Sequence, residues 1–214
     1  MKIDIVADTV CPWCFIGKRR LDRALSARPQ PNLEILWRPF FLNPDMPAEG
    51  LDRAEYMARK FGGRERANRI YAGVTEAGAI EGIPFRFDRM ARSPNTIDSH
   101  RLIYLAGETG RQDDIVEALY RAYFLDGLDI GDMDVLADLA EAGGIARADA
   151  LAYLQSGADR DVVVAADEKA RSLGVNGVPC FIIDRKYAVS GAQLPEVFYQ
   201  VFELVKQEAA QAAE

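Results

Sequence analysis

Cysteine and histidine are scarce in this chain: three Cys and one His in 214 residues. Three cysteines cannot staple a disulfide scaffold, and with a single histidine they are poor material for a tetrahedral zinc site. Long apolar runs are missing too, since nothing approaches the roughly 18 residues a membrane span needs. Met1-Lys2 leads straight into the strand-like Ile3-Asp4-Ile5-Val6 without the apolar stretch of a signal peptide, so the expected location is cytoplasmic, with no membrane partner. There is no basic stripe or tail, and 26 basic against 33 acidic residues leave a net charge of -7, which excludes a nucleic-acid partner from the expectation. Internal repeats and low-complexity tracts are also lacking. What is present is 49% apolar and 28% charged residues, enough to bury a core as one large or two small domains and too much for a disordered tail.

Residues 3 to 8 and 33 to 38 read as strands, and Cys11 to Arg28 between them carries helix formers ended by Pro29 and Pro31, a βαβ opening. From Leu51 to Leu173 the pattern is helix after helix, broken at glycine pairs and clusters, and no strand signal interrupts it. Val178 to Asp184 and Tyr187 to Ser190 then read as two short strands around an Asp184-Arg185-Lys186 turn. A last helix follows Leu194, with Phe198, Val201, Phe202 and Val205 on one stripe and a polar end from Gln207 to Glu214 that is expected to fray. Four short strands and two helices cannot bury both sheet faces separately, so strands from the two ends share one sheet and the helical block is an insertion. The expected class is α/β, with a βαβ unit, a large all-helical insertion and a ββα unit.

The chemistry concentrates in Asp8-Thr9-Val10-Cys11-Pro12-Trp13-Cys14-Phe15-Ile16-Gly17. Pro12 suits the first helical position, which makes Cys11 the N-cap and Cys14 the third helical residue. Cys14, Gly17, Leu21 and Ala24 recur on one face, so Cys14 points at the sheet while Cys11 sits at the cap, where solvent and a partner can reach it. Unsatisfied N-H groups and the positive end of the helix dipole favour a thiolate at such a cap, so Cys11 is the candidate nucleophile and Cys14 the residue that resolves the mixed disulfide. Metal knuckles and incidental pairs use the same spacing, but only Cys180 and His100 remain as soft ligands, so no metal is expected.

A second segment, Gly174-Val175-Asn176-Gly177-Val178-Pro179-Cys180-Phe181, puts a proline where a loop enters a strand. Proline cannot donate within a ladder, so Pro179 stands at an end or a turn, trans by base rate. A cis Val178-Pro179 bond would instead turn the Val178 backbone outward to pair with an extended substrate.

With both segments in hand the sequence resembles the thioredoxin-fold DsbA family, and more closely its FrnE-like branch of dithiol-disulfide oxidoreductases. The likeness covers nearly the whole chain. It rests on Asp8 to Gly17, Trp37-Arg38-Pro39-Phe40-Phe41-Leu42-Asn43-Pro44, Pro94-Asn95-Thr96 with His100-Arg101-Leu102, and Gly174 to Phe181 followed by Ser190-Gly191-Ala192-Gln193. The resemblance implies a thioredoxin-like domain of residues 1-50 and 174-214 interrupted by a helical domain of residues 51-173, a reactive Cys11, a resolving Cys14 and cis-Pro179 beside them. It implies no cofactor beyond the Cys11-Cys14 disulfide itself, with glutathione as a candidate co-substrate. Trp13 replaces the His of periplasmic DsbA, which removes a group that stabilises the Cys11 thiolate and argues against a strong oxidant.

Supporting roles around this pair stay open. Asp8 ends the first strand, where its carboxylate either tunes the cysteines and shuttles a proton or holds an Asx turn. His100 lies in a helix that Asn95 is expected to cap with Asp98 at the third position, as a packed residue or a site residue. Trp13 offers a flat apolar contact to a partner. Arg38, Phe40 and Phe41 read either as packing or as residues of the active-site rim, and Tyr120, Tyr123 and Phe124 as core. Cys180, in an apolar run, reads as a buried, inert thiol, the competing reading being a third redox centre that pairs with Cys11 or Cys14.

The function expected is disulfide exchange with proteins or small thiols such as glutathione. Two other readings compete. One is a glutathione-dependent isomerase or transferase, because 2-hydroxychromene-2-carboxylate isomerases and kappa-class glutathione transferases are similar in architecture but use one Ser or Cys at the cap. The other is a redox-inert binding or chaperone module. Related architectures often form a homodimer, which this sequence neither requires nor excludes.

Overall fold

A computed structural model describes residues 1-211, so residues 212-214 of the expected polar end lie outside it. In chain order the elements are β1 (Lys2–Ala7), α1 (Pro12–Ala27), β2 (Glu34–Pro39), β3 (Leu51–Asp52), α2 (Arg53–Phe61), α3 (Arg64–Ile80), β4 (Arg92–Ser93) and α4 (Ile97–Ala106). Then follow α5 (Gln112–Arg121), α6 (Met133–Ala140), α7 (Arg147–Ser156), α8 (Arg160–Ser172), β5 (Cys180–Ile183), β6 (Tyr187–Ser190) and α9 (Pro195–Gln211). The main sheet has the order β2-β1-β5-β6. The parallel β1-β2 pair sets Lys2 opposite Glu34, and β5 runs antiparallel to β1 with Val6 opposite Cys180. The sheet therefore draws strands from both ends of the chain, and helices occupy the stretch between, as the element order requires. None of the described helices is long and apolar enough to cross a membrane.

Two expectations need correction. A strand pair does interrupt the helical stretch: β3 and β4 pair antiparallel, Leu51 opposite Ser93. A two-residue ladder has no period, so the sequence carries no signal for it. The helix holding His100 starts one residue later than expected, with Thr96 at its cap. The Asn95 side chain instead accepts from the Ile97 N-H at 3.0 Å and donates to the Met46 carbonyl at 2.8 Å, an Asx turn just before the helix. Asp98 is then the second helical residue.

Alternation along the strands sends Ile3, Ile5, Phe181 and Ile183 to one face, where α1 and α9 cover them; Phe181 meets Phe198 edge-on at 5.0 Å. Val6, Phe40 and Cys180 face the other way, onto Ala170 of α8 and Val175. Phe15 of α1 stacks on Tyr120 at 5.1 Å and meets Phe85 edge-on at 6.1 Å, tying the helical stretch to the first helix. Charges reinforce the same seam. Lys18 is buried and reaches Asp113 at 3.0 Å and Asp22 at 3.1 Å. Burial alone would lower its pKa, but these carboxylates outweigh it and hold the ammonium up.

Candidate functional site

The site begins where β1 ends. The Cys11 N-H donates to the Asp8 carbonyl at 3.1 Å, turning the chain, and Cys14 N-H returns to the Cys11 carbonyl at 3.0 Å. Cys11 has extended cap geometry with Pro12 directly after it, and no acidic residue occupies the first turn of α1. Both sulfurs are free thiols. Cys14 faces inward as the stripe requires, at 1% exposure, and burial pushes its thiol well above the usual range. Hydrogen bonding with Cys11 and repulsion from a charge on Cys11 push the same way, the Asp8 N-H opposes them, and the Asp8 carboxylate adds to the rise. Ionisation of the Cys14 thiol is therefore disfavoured, the more so while Cys11 carries a charge.

The expected exposure of Cys11 is not found: only 4% of it is accessible. The Val178-Pro179 loop closes over it, and the Cys11 thiol donates to the Val178 carbonyl at 3.7 Å. The Val178-Pro179 peptide bond is cis, as the family resemblance implies. Trp13, the neighbour of Cys11 on α1, is 40% exposed. Cys180 is buried on the sheet face away from α1, and burial pushes its thiol up while a bond with Ser190 pulls the other way.

Asp8 and His100 come together across 92 residues of sequence. The buried Asp8 carboxylate meets His100 Nε2 at 3.3 Å through one oxygen and accepts the Leu42 N-H at 2.8 Å through the other. It thus holds no local Asx turn. His100 is buried as well, edge-on to Phe41 at 5.6 Å, and its ring also lines a groove between β2, α4 and α8 with Arg38, Tyr104 and Val162. Arg38 pairs with Asp4 at 2.7 Å, and Arg171 covers the Phe40 ring at 4.1 Å, so neither Arg38 nor Phe40 belongs to the sulfur site.

Two site residues escape a reading of the sequence for chemistry. Tyr120 is core, as expected, yet its hydroxyl also lies against the Cys14 thiol; burial pushes it well above the ordinary tyrosine value, with Cys14, Cys11 and Asp8 adding. Gly17 carries the cis-proline ring, since a Cβ there would stand 2.9 Å from Pro179 Cγ. Its place on the Cys14 stripe was the available signal.

Comparison with known proteins bears on this arrangement. The crystal structure of a probable DsbA oxidoreductase from Streptomyces coelicolor is 35% identical, covers 97% of this chain and 91% of its own, and superposes with a TM-score of 0.88. A 2-hydroxychromene-2-carboxylate isomerase is 16% identical with a TM-score of 0.72, covering 100% and 98%. The cytosolic disulfide reductase DsbM from Pseudomonas aeruginosa, solved with GSH, is 20% identical with a TM-score of 0.65, covering 97% and 100%. At those identities the last two share the fold. The DsbA-like thioredoxin domain matches residues 2-203, from the first residue of β1 into α9, and leaves no element of the architecture outside it. The chain belongs to the DsbA-like thioredoxin domain family.

Proposed function

We propose that the protein is a thiol-disulfide oxidoreductase of the FrnE-like branch, acting on disulfide-containing proteins or on small disulfides, with a thiol such as glutathione returning it to the dithiol. One observation carries this reading: a buried Cys14 stands behind a Cys11 whose sulfur lies against the Val178 carbonyl beside cis-Pro179. In the reductive direction the Cys11 thiolate attacks one sulfur of the substrate disulfide. That bond breaks, the Cys11 mixed disulfide forms, and the first thiolate leaves and takes a proton. Cys14 then gives up its proton and attacks the Cys11 sulfur, releasing the second thiol; two electrons have passed to substrate and a Cys11-Cys14 disulfide remains. Asp8, hydrogen-bonded to His100, receives the Cys14 proton. Val178 pairs with the bound chain through its backbone, and Pro12 and Trp13 form the rim it meets.

The domain boundaries expected from the sequence, residues 1-50 with 174-214 around an insertion of 51-173, belong to this proposal, as does a cytoplasmic site of action. The cytosolic DsbM among the structural neighbours agrees with the latter. A reducing compartment favours reductase or isomerase work over net oxidation.

The deciding experiment expresses Cys14→Ser in its own cytosol and identifies what stays disulfide-linked to Cys11. Captured proteins or small thiols, together with loss of insulin disulfide reduction in Cys11→Ser, support the reading. An activity that needs glutathione and survives Cys14→Ser points to the isomerase or transferase alternative instead. Wild-type protein that reduces neither insulin nor a small disulfide points to the redox-inert one.

A further inference from the structure

Helix α2 carries two cations, Arg53 and Lys60, without a carboxylate to match them, and α3 helps place them at the Cys11 end of α1. The placement follows from α3. Glu81, directly after that helix, accepts from Arg20 at 2.8 Å and Arg23 at 2.6 Å on α1. Tyr71 precedes Glu81 by ten residues and Cys11 precedes Arg20 by nine, offsets of about 14-15 Å at about 1.5 Å per residue, so with α3 running in the same direction as α1 Tyr71 stands level with Cys11. The rings agree: Tyr71 meets Phe87 at 4.4 Å, Phe87 stacks on Phe85 at 4.9 Å, and Phe85 meets Phe15 in the first turn of α1. A charge on Cys11 also contributes to the raised pKa of the Tyr71 hydroxyl, after burial. The other anchor is Asn43, next to the Leu42 that Asp8 holds; its Oδ1 accepts from Lys60 at 2.9 Å and from the Tyr56 hydroxyl at 3.3 Å.

Within this frame Arg53 is half-buried and donates only to neutral side chains, the Tyr71 hydroxyl at 2.6 Å and Ser93 Oγ at 3.2 Å. Its guanidinium lies 5.3 Å from the Tyr71 ring and 5.6 Å from the Tyr56 ring, and Lys60 Nζ lies 5.3 Å from the same Tyr56 ring. Arg53 and Lys60 form no ion pair among the described residues, because Glu55 is taken by Arg59 and Asp52 caps α2. By contrast the partly buried cations of α1, Lys18, Arg19 and Arg20, each meet at least one carboxylate. Aromatic faces attract cations without neutralising them, and the guanidinium fork keeps donors spare.

We propose that Arg53, assisted by Lys60, receives a carboxylate of a small anionic disulfide as its sulfur meets Cys11, which names the substrate class for the oxidoreductase reading above and rests on it. A small ligand fits because Cys11 is only 4% accessible. Guanidinium and carboxylate match bidentately, and one such charge-assisted contact is worth about tenfold in binding or somewhat more.

The test compares kcat/KM for dianionic 3,3'-dithiodipropionate and neutral hydroxyethyl disulfide. The ratio of the two should fall about tenfold in Arg53→Gln, fall less in Lys60→Gln, recover in part in Arg53→Lys, and shrink with added salt in the wild type. A ratio unchanged in Arg53→Gln, or both rates falling in parallel, overturns the assignment. A ratio shift confined to disulfide peptides with acidic residues transfers the site to protein substrates and overturns the small-molecule class. Failure of the wild type to reduce either disulfide strikes the oxidoreductase reading itself.

Discussion

Gly17 sits where α1 meets the cis-proline loop, and an added methyl would stand 2.9 Å from Pro179 Cγ and 3.1 Å from Phe181 Cζ. Neither ring can retreat freely, since Phe181 is fully buried and the Pro179 carbonyl accepts the Gly191 N-H at 2.8 Å. Gly17→Ala should therefore lose about 1-3 kcal/mol of stability in urea denaturation. It should also slow disulfide reduction about tenfold by moving the Val178 carbonyl, each tenfold being about 1.4 kcal/mol of barrier. A variant as stable and as fast as the parent would remove this contact from the mechanism. Cys180 belongs to the same scale. Packed among Val6, Phe40, Ala170 and Val175 with a raised pKa, it should resist alkylation in the native reduced protein while Cys11 reacts, and Cys180→Ala should keep most activity. Peptide mapping that finds a Cys11-Cys180 bridge after mild oxidation contradicts this.

At the scale of elements the informative junction is the one Asp8 makes between the end of β1, the loop after β2, and α4. Two opposite effects on Cys14 can be told apart there. The Asp8 charge helps keep the Cys14 thiol protonated, so electrostatics alone predicts that Asp8→Asn speeds the resolving step at neutral pH. If Asp8 takes the proton, Asp8→Asn slows that step by the 10²-10⁴-fold usual for general bases, about 10² being expected here because repulsion is relieved at the same time. The deficit should close as the pH rises and Cys14 ionises unaided. Rapid-quench trapping of the Cys11 mixed disulfide between pH 6 and 10 measures this directly, and a faster Asp8→Asn enzyme at pH 7 assigns Asp8 a purely electrostatic part. His100→Gln, which keeps a hydrogen-bond partner for Asp8, should show a smaller deficit with the same pH trend.

For the whole molecule, one buried cluster runs from Ile3 and Phe181 in the sheet through Phe15 and Tyr120 to Leu154 in α7. The proposed insertion thus has no core of its own, and urea unfolding should be a single transition in which sheet and helical stretch melt together. Two separated transitions would mean independent domains. The pH dependence of that transition has a definite sign. Cys14, Cys180 and Tyr120 all have pKa values raised by burial, so they keep protons in the folded state that the unfolded chain gives up, from about pH 8.5 for thiols. The unfolded state then binds fewer protons, and stability falls as the pH rises through that range. Glu81 acts at the other end: burial pushes it up, but Arg23 and Arg20 outweigh burial and hold it low. Its contribution is present above the ordinary carboxylate range and is lost as the pH falls through the lowered value. Denaturation of the reduced protein at pH 7, 9 and 10 should show the alkaline loss, reduced in a Cys14→Ala/Cys180→Ala variant; a flat profile contradicts it.

Local rules determine a good deal of this protein. Proline at the first helical position and a four-residue repeat suffice to set Cys11 at the cap and Cys14 on the inner face, because both are properties of one helix. Apolar alternation placed β1, β2, β5 and β6 to within two residues, and the element order alone required a shared sheet. What tertiary structure decided depends on distance along the chain. The cover over Cys11 comes from Val178, 167 residues away, the partner of Asp8 comes from His100, and the contact of Gly17 with Pro179 spans two ends of the fold. Side chains so far apart in sequence carry no shared period, so only the packing of α1 and α4 against the sheet and the closure of the cis-proline loop could reveal them.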